Sequence, residues 1–357
     1  MNVQSEISGV IEGSTAEVTV QRLGPDEMEH WDCYVLAHPE ASFFHRAGWK
    51  RVIEKAFGHT THFLQAMRDG EIVGVLPLAQ INSLLFGHSL SSLPFCAYGG
   101  ILADDATAAR ALDEAAQALA IRLKVGAYEC RNQRAHHPDW PTKDLYVTFK
   151  KAIDPDVDAN LTAIPRKQRA MVRKGIKAGL TSVIDADTTR FYEAYSASVH
   201  RLGTPVFSRQ FFKLLKTEFG DDCEVMTIML DDQVISSVMS FYFRDEVLPY
   251  YGGGVAAARA VAGNDFMYWE LMRRACEAGL KVFDFGRSKR GTGSFDFKKN
   301  WGFEATPLMY EYFLVGDTQV PDINPLNPKY QLFIRAWKKM PLVLANAIGP
   351  HIVKNLG

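Results

Sequence analysis

The sequence predicts an α/β (α+β) protein made of two tandem copies of one unit, each a mixed sheet flanked by helices. Three observations predict it. First, FFHRAGWKRVIEKAFGH (43–59) repeats as VFSRQFFKLLKTEFGDD (206–222), with Phe44 matching Phe207 at an offset of 163 and Phe57 matching Phe219 at 162. Second, each copy is followed by two alternating strands around an acidic turn, at Asp69-Gly70 in 62–79 and at Asp231-Asp232 in 223–241. Third, each then runs through a tyrosine–glycine strand end (Tyr98-Gly-Gly, Tyr251-Gly-Gly-Gly), a helix closing at a glycine (Gly126, Gly279) and a buried strand. One such match could arise by chance, but the ordered series makes that a poor explanation.

Taken in order, residues 1–16 read as a flexible, acidic start with no apolar core, so no secretory leader is expected there. The first unit spans 17–160, with helices near 43–59 and 105–124. After the second of these comes AYECRNQRAHHPDW, where His136-His137 reads as a solvated loop rather than a metal site. Residues 161–181 form a basic junction helix. Arg166, Lys167, Arg169, Arg173, Lys174 and Lys177 appear there without an acid, and 166, 169, 173 and 177 share one helical face. Pro165 suits the first helical position and Gly179 the end. The stripe reads either as a phosphate-binding face or as a solvated linker helix. The second unit spans 182–318. The tail, 319–357, is proline-punctuated and then basic and amphipathic. It reads as an element lying on an anionic membrane or as a helix pair packed on its own domain, broken at Pro341.

Composition narrows the function. With 47% hydrophobic and 23% charged residues and a formal charge of −1, the chain has no overall bias towards nucleic acid or membrane, and no DNA partner is expected. Five scattered cysteines without paired spacing suggest reduced thiols in the cytoplasm. No apolar run approaches the roughly 20 residues that span a bilayer. The sequence holds no H-E-x-x-H, no G-x-S-x-G and no P-loop.

Chemistry concentrates in KVFDFGRSKRGTGSFDFKKNWGF (281–303). Val282, Phe283 and Phe285 read as a buried strand ended by Asp284, Gly286 and Arg287. A glycine- and hydroxyl-rich turn follows, and then Lys298 and Lys299 among Phe295, Phe297, Trp301 and Phe303. A lysine held by aromatics beside an arginine suits a developing oxyanion or a phosphate. The bland alternative is an edge strand with a solvated basic turn. The first half lacks both the glycine-rich turn and the aromatic-flanked lysines, which favours function in the second.

These motifs together, with RKQRAMVRKGIKAG between the copies, resemble the FemAB family of peptidyl and aminoacyl transferases, built from two acetyltransferase-like (GNAT) domains. The resemblance spans about residues 20–315. In SLPFCAYGG, HRLGTPVFS, PYYGGG and NPLNPKY the chain is similar to FemAB-related proteins encoded with exosortase/PEP-CTERM exopolysaccharide systems. The resemblance implies a transferase moving an aminoacyl or acyl group to an amine on a cell-envelope or exopolysaccharide precursor. No tightly bound cofactor is implied. The donor would be aminoacyl-tRNA or an acyl-CoA, and the acceptor a nucleotide- or lipid-linked glycan precursor.

Residue by residue, the family's Phe-Lys pair at the reaction centre corresponds to Phe297-Lys298, with the lysine stabilising the oxyanion. Arg287 is the next candidate, for a phosphate. Asp284 is a candidate base, although capping the loop or pairing with Arg287 accounts for it as well. Tyr250 and Tyr251 could relay a proton or simply pack. Lys299, Trp301 and Ser288 are expected to line the substrate site, with Arg201 and Arg209 facing the acceptor and Arg169 and Arg173 on the basic stripe. The family's phosphate-binding lysine near a first-domain tryptophan has no clean match. Trp49 itself is expected at the substrate site and is followed by Lys50 and Arg51, but Val52 and Ile53 stand where the cation belongs. Arg259 to Asp265 also misses the R/Q-x-x-G-x-G/A spacing of coenzyme-A acetyltransferases. Two further readings stay open. One is a coenzyme-A-dependent N-acetyltransferase acting on an amino sugar, and the other a non-catalytic assembly protein with a GNAT fold.

Overall fold

The computed structural model describes residues 17–83, 87–316, 319–320 and 328–356, so the expected flexible start at 1–16 lies outside the described residues. In the second half, a six-stranded sheet runs in the order Lys150–Ala152, Val282–Asp284, Glu246–Gly254, Gln233–Phe243, Cys223–Leu230, Thr181–Asp185. All neighbours are antiparallel except Glu246–Gly254 with Val282–Asp284. That parallel pair is forced by the connecting helix Gly263–Glu277, because a parallel crossover needs a dozen or more residues. The first half repeats the device, with helix Ala106–Leu123 joining the parallel strands Gly87–Ser92 and Ala127–Asn132. Both expected hairpin turns are present, with Asp69 and Asp231 in left-handed conformation.

The sheets do not follow the chain division expected at 160 and 182. Lys150–Ala152, from the end of the first half, forms one edge of the second sheet. Met309–Leu314, from the end of the second half, pairs with Ala127–Asn132 in the first. Each exchanged strand covers an edge that would otherwise expose unpaired backbone. The basic helix, Arg166–Lys177, is no free linker either. It buries Gln168, Val172 and Gly175, and Gln168 Nε2 donates to Asp265 of helix Gly263–Glu277 at 3.2 Å.

The two repeated helices, Gly48–Phe57 and Arg209–Phe219, pack against each other at the junction. Gly48 permits their approach, since a Cβ there would lie 2.8 Å from the Phe219 ring. Phe43 stacks on Phe241 with centroids 4.3 Å apart, and Arg46–Asp222 (3.0 Å) and Arg51–Glu218 (2.7 Å) pair across the seam. Because this core is continuous, the units are locked together and residues from both can build one site. The tail forms helices Pro328–Lys339 and Leu342–Val353, divided at Pro341 as expected, and packs on helix Thr189–Leu202. No helix among the described residues is long and apolar enough to cross a membrane.

Candidate active site

The 281–303 stretch is not an edge strand with a basic turn. After strand Val282–Asp284, Gly286 turns the chain in left-handed conformation (φ 68°), which favours glycine. Residues Ser288–Lys289 then pair with Tyr146–Thr148, and Gly293–Asn300 forms a helix capped by the Thr292 hydroxyl on Phe295 N. This helix returns Lys298 to the strand end. Lys298 Nζ donates to the carbonyl oxygens of Gly286 and Arg287, both at 3.0 Å. Its charge lies over the rings of Phe149 (5.6 Å) and Phe285 (5.8 Å). Burial pushes the Lys298 ammonium down to about 7, opposed by Asp284 and reinforced by Arg287. An ammonium has three N–H groups, so with two spent on carbonyls one is left for a ligand.

Arg287 lies beside it. Its Nη1 donates to the Tyr310 hydroxyl at 3.0 Å, and its guanidinium sits over the Tyr146 ring at 4.7 Å. Among the described residues it has no carboxylate partner, so the expected pairing with Asp284 does not form. A half-buried guanidinium held by phenols and rings has the chemistry to accept an anion.

Asp284 is 1% exposed and fully engaged. It accepts from Gly286 N (2.7 Å) and the Tyr98 hydroxyl (3.1 Å) and lies 3.4 Å from Lys150 Nζ. Lys150 also pairs with Glu246 at 3.1 Å, and Tyr98 bonds the Thr148 hydroxyl. These bonds give Asp284 the capping role that the sequence left as an alternative to a base. A cleft of about 250 Å³ borders this cluster, lined by Tyr98, Gly100, Asn132, Lys150 and Glu246 among others.

The remaining expected residues divide. Phe297 packs on Tyr268 and Trp301, while Trp301 is buried with its Nε1 donating to Asp265 at 3.1 Å. Lys299 is exposed near the Phe295 ring. The buried Ser288 hydroxyl has no partner among the described residues. Tyr250 donates to Phe95 O at 3.0 Å. Tyr251 is enclosed by Tyr195, Phe207, Phe211 and Phe212, and its hydroxyl has no partner among the described residues. Elsewhere, Arg201 anchors the Gly254 carbonyl at 2.6 Å, and Arg209 stacks over Tyr192 on the surface. Arg169 donates to Thr162 O, and Arg173 is exposed. Trp49 is fully buried among Phe43, Phe44, Phe219 and Phe241, leaving no ring surface for a ligand. His137 stacks on Trp140 and lies 3.2 Å from Asp113.

Sequence reasoning missed Tyr98, Tyr146, Thr148, Lys150 and Tyr310, which come from the first half and from the exchanged last strand. Only Tyr98 carried a signal, as the counterpart of Tyr251 in the repeat. It sits in a loop beyond strand Gly87–Ser92, not at a strand end.

Residues 166–299 match the family model described as Acetyltransferase (GNAT) domain. The match opens on the basic helix and closes on the Phe297-Lys298-Lys299 run. The chain aligns with the crystal structure of FemX at a TM-score of 0.64 and 16% identity, covering 88% of this chain and all of that one. The chain has a tandem GNAT fold of the FemX type. The same GNAT pair is similar to a tandem GNAT protein of the clavulanic acid biosynthesis pathway (TM-score 0.52, 13% identity, 85% of this chain and all of that one). It is also similar to the C-terminal domain of a protein from Agrobacterium fabrum described as a lysylphosphatidylglycerol synthetase (TM-score 0.56, 12% identity, 81% of this chain and 92% of that one). A comparison with curated proteins gives no significant match. In GNAT terms, Glu246–Gly254 and Val282–Asp284 are the parallel pair of the second domain, and Lys298 returns to the end of the latter.

Proposed function

We propose that this protein is an N-acyltransferase that joins an aminoacyl or acyl group to an amine on a cell-envelope or exopolysaccharide precursor, at the site around Lys298. The observation that carries the proposal is the Lys298 ammonium, tied to two carbonyls with one N–H to spare, beside an Arg287 guanidinium that has no carboxylate partner among the described residues. In the reaction, the acceptor nitrogen attacks the acyl carbon and a C–N bond forms. The C–O bond of an ester donor, or the C–S bond of a thioester, then breaks. The amine loses one proton and the departing oxygen or sulfur gains one. The carbonyl oxygen carries the charge between these events, and Lys298 donates its free N–H to it. Arg287 holds a phosphate or carboxylate of donor or acceptor. Asp284 fixes the turn and, through its field, keeps Lys298 protonated further up the pH scale.

For the donor we favour aminoacyl-tRNA over an acyl-CoA. Exposed Arg173, Lys174 and Lys177 lie on the basic helix with no carboxylate partner among the described residues, which suits a polyanion. The Ala256–Arg259 turn packs Ala258 against Gly254 and Gly263, the first position of the helix where a coenzyme-A pyrophosphate would rest. The Agrobacterium relative, by its name, makes a lysylated lipid, in keeping with an aminoacyl group. The acceptor we assign is a nucleotide- or lipid-linked glycan precursor of the kind made in the cytoplasm for export, as in the exosortase-linked systems that the sequence resembles. Native mass spectrometry with mixed aminoacyl-tRNA and, separately, acetyl-CoA tests the donor. A salt-sensitive tRNA complex weakened by Arg173→Glu with Lys177→Glu is expected. A coenzyme-A complex indifferent to those changes would replace the tRNA donor with the thioester.

A further inference from the structure

Helices Pro328–Lys339 and Leu342–Val353 pose a physical problem that packing on their own domain does not solve. Their inward rows are well held. Trp337, Ala345, Gly349 and Val353 are buried, and Ile334 lies against Gly203. His200 Nε2 donates to Trp337 O at 3.1 Å, and His59 Nε2 donates to Lys354 O at 2.7 Å. The hairpin is therefore fixed in orientation. Yet its outward rows leave large apolar side chains in water. Leu332 is 73% exposed, Val343 80%, Leu344 52%, Phe333 43% and Ile348 42%. On the second helix, Val343, Leu344, Ala347 and Ile348 share one face by the 3.6-residue repeat and carry no charge. An exposed apolar face on a docked helix marks an interaction surface.

Charge says what covers it. Residues 328–356 hold five Lys or Arg and no acid, in a chain whose formal charge is −1. Arg335, Lys338 and Lys339 are exposed beside the apolar rows. A second copy would bring an equally basic face and be repelled. A surface that is negative and apolar beneath its charge suits both features, and a bilayer with anionic headgroups is one. We propose that the outward face of this C-terminal hairpin seats the protein on an anionic lipid bilayer, the Val343 face entering the acyl boundary and the cations meeting the headgroups. This holds whether or not the acyl-transfer reading is right, and its test does not involve catalysis.

The test is co-sedimentation of the full chain with vesicles of phosphatidylglycerol and phosphatidylcholine, and with phosphatidylcholine alone. Binding is expected only with the anionic vesicles, falling steeply at about 1 M salt, where the screening length shrinks to about 3 Å. Val343→Glu with Leu344→Glu, at positions open to water, is expected to lower the bound fraction at least about tenfold. Ile121→Glu, 56% exposed on another helix, is expected to bind as the parent does. Thermal unfolding of each variant confirms that the fold persists. No sedimentation with phosphatidylglycerol, or binding untouched by the double change, overturns the proposal. So does sedimentation velocity showing a dimer that the double change dissociates, which would make a second copy the occupant.

Discussion

Lys298 Nζ lies 3.0 Å from the carbonyl oxygen of Arg287, so one cation is positioned by the backbone of the other. Burial, with a smaller contribution from repulsion between the two charges, lowers the Lys298 ammonium to about 7. The site therefore holds more positive charge than the fold itself neutralises. That excess is what an oxyanion or phosphate would relieve.

A pH dependence of stability follows from the lowered Lys298. Its folded value of about 7 lies below the ordinary 10.5, so between them the unfolded chain holds a proton that the folded chain has lost. The penalty is full below about pH 7 and vanishes as pH rises towards 10.5. Relative to Lys298→Met, the parent should gain stability over that window, measured by urea unfolding at a series of pH values. A difference that is flat with pH would mean that Lys298 titrates normally.

Arg287→Met should separate binding from folding. Removing a half-buried cation without a carboxylate partner removes a desolvation cost, so the melting temperature should hold or rise. The KM of the substrate carrying the anion should rise about tenfold or more, matching ~1.5–3 kcal/mol for a bond to a charged group. A lowered melting temperature with unchanged KM would make Arg287 a structural residue.

Asp284→Asn should act through Lys298. Asp284 raises the Lys298 value, so its neutralisation should move the alkaline limb of kcat/KM to lower pH. Stability should fall by about 1–3 kcal/mol, because Lys150 loses one of its two carboxylates and the bond from Gly286 N loses its charged acceptor. If Asp284 were instead the general base, the acid limb would disappear and the alkaline limb would stay in place.

Much of this was legible in the sequence. The repeat at 43–59 and 206–222 revealed the tandem units, because a helix pair at a pseudo-symmetric junction must present similar apolar faces. The same reading placed Lys298 beside Arg287. It could not place Lys150 or Tyr310, since nothing local in a strand shows which sheet it will join, and both lie in or beside exchanged strands. It also assigned Trp49 to substrate. An aromatic residue beside Lys50 and Arg51 looks alike whether it faces a ligand or a core, and here partners distant in sequence, Phe219 and Phe241, enclose it.

Trp49→Ala should accordingly cost about 3–5 kcal/mol of stability by emptying the junction core, with KM values unchanged in the folded fraction. Unchanged stability with a raised KM would return Trp49 to the substrate site.

The most direct test of the account is acyl transfer by Lys298→Met against the parent at pH 7. It would be followed by mass spectrometry of amide products from an aminoacyl-tRNA mixture and from acetyl-CoA, with amine-bearing nucleotide- and lipid-linked sugars as acceptors. The account predicts an amide product from the parent and a rate about 10²–10³ lower from the folded variant, as loss of one oxyanion donor requires. An equally active Lys298→Met protein would contradict it.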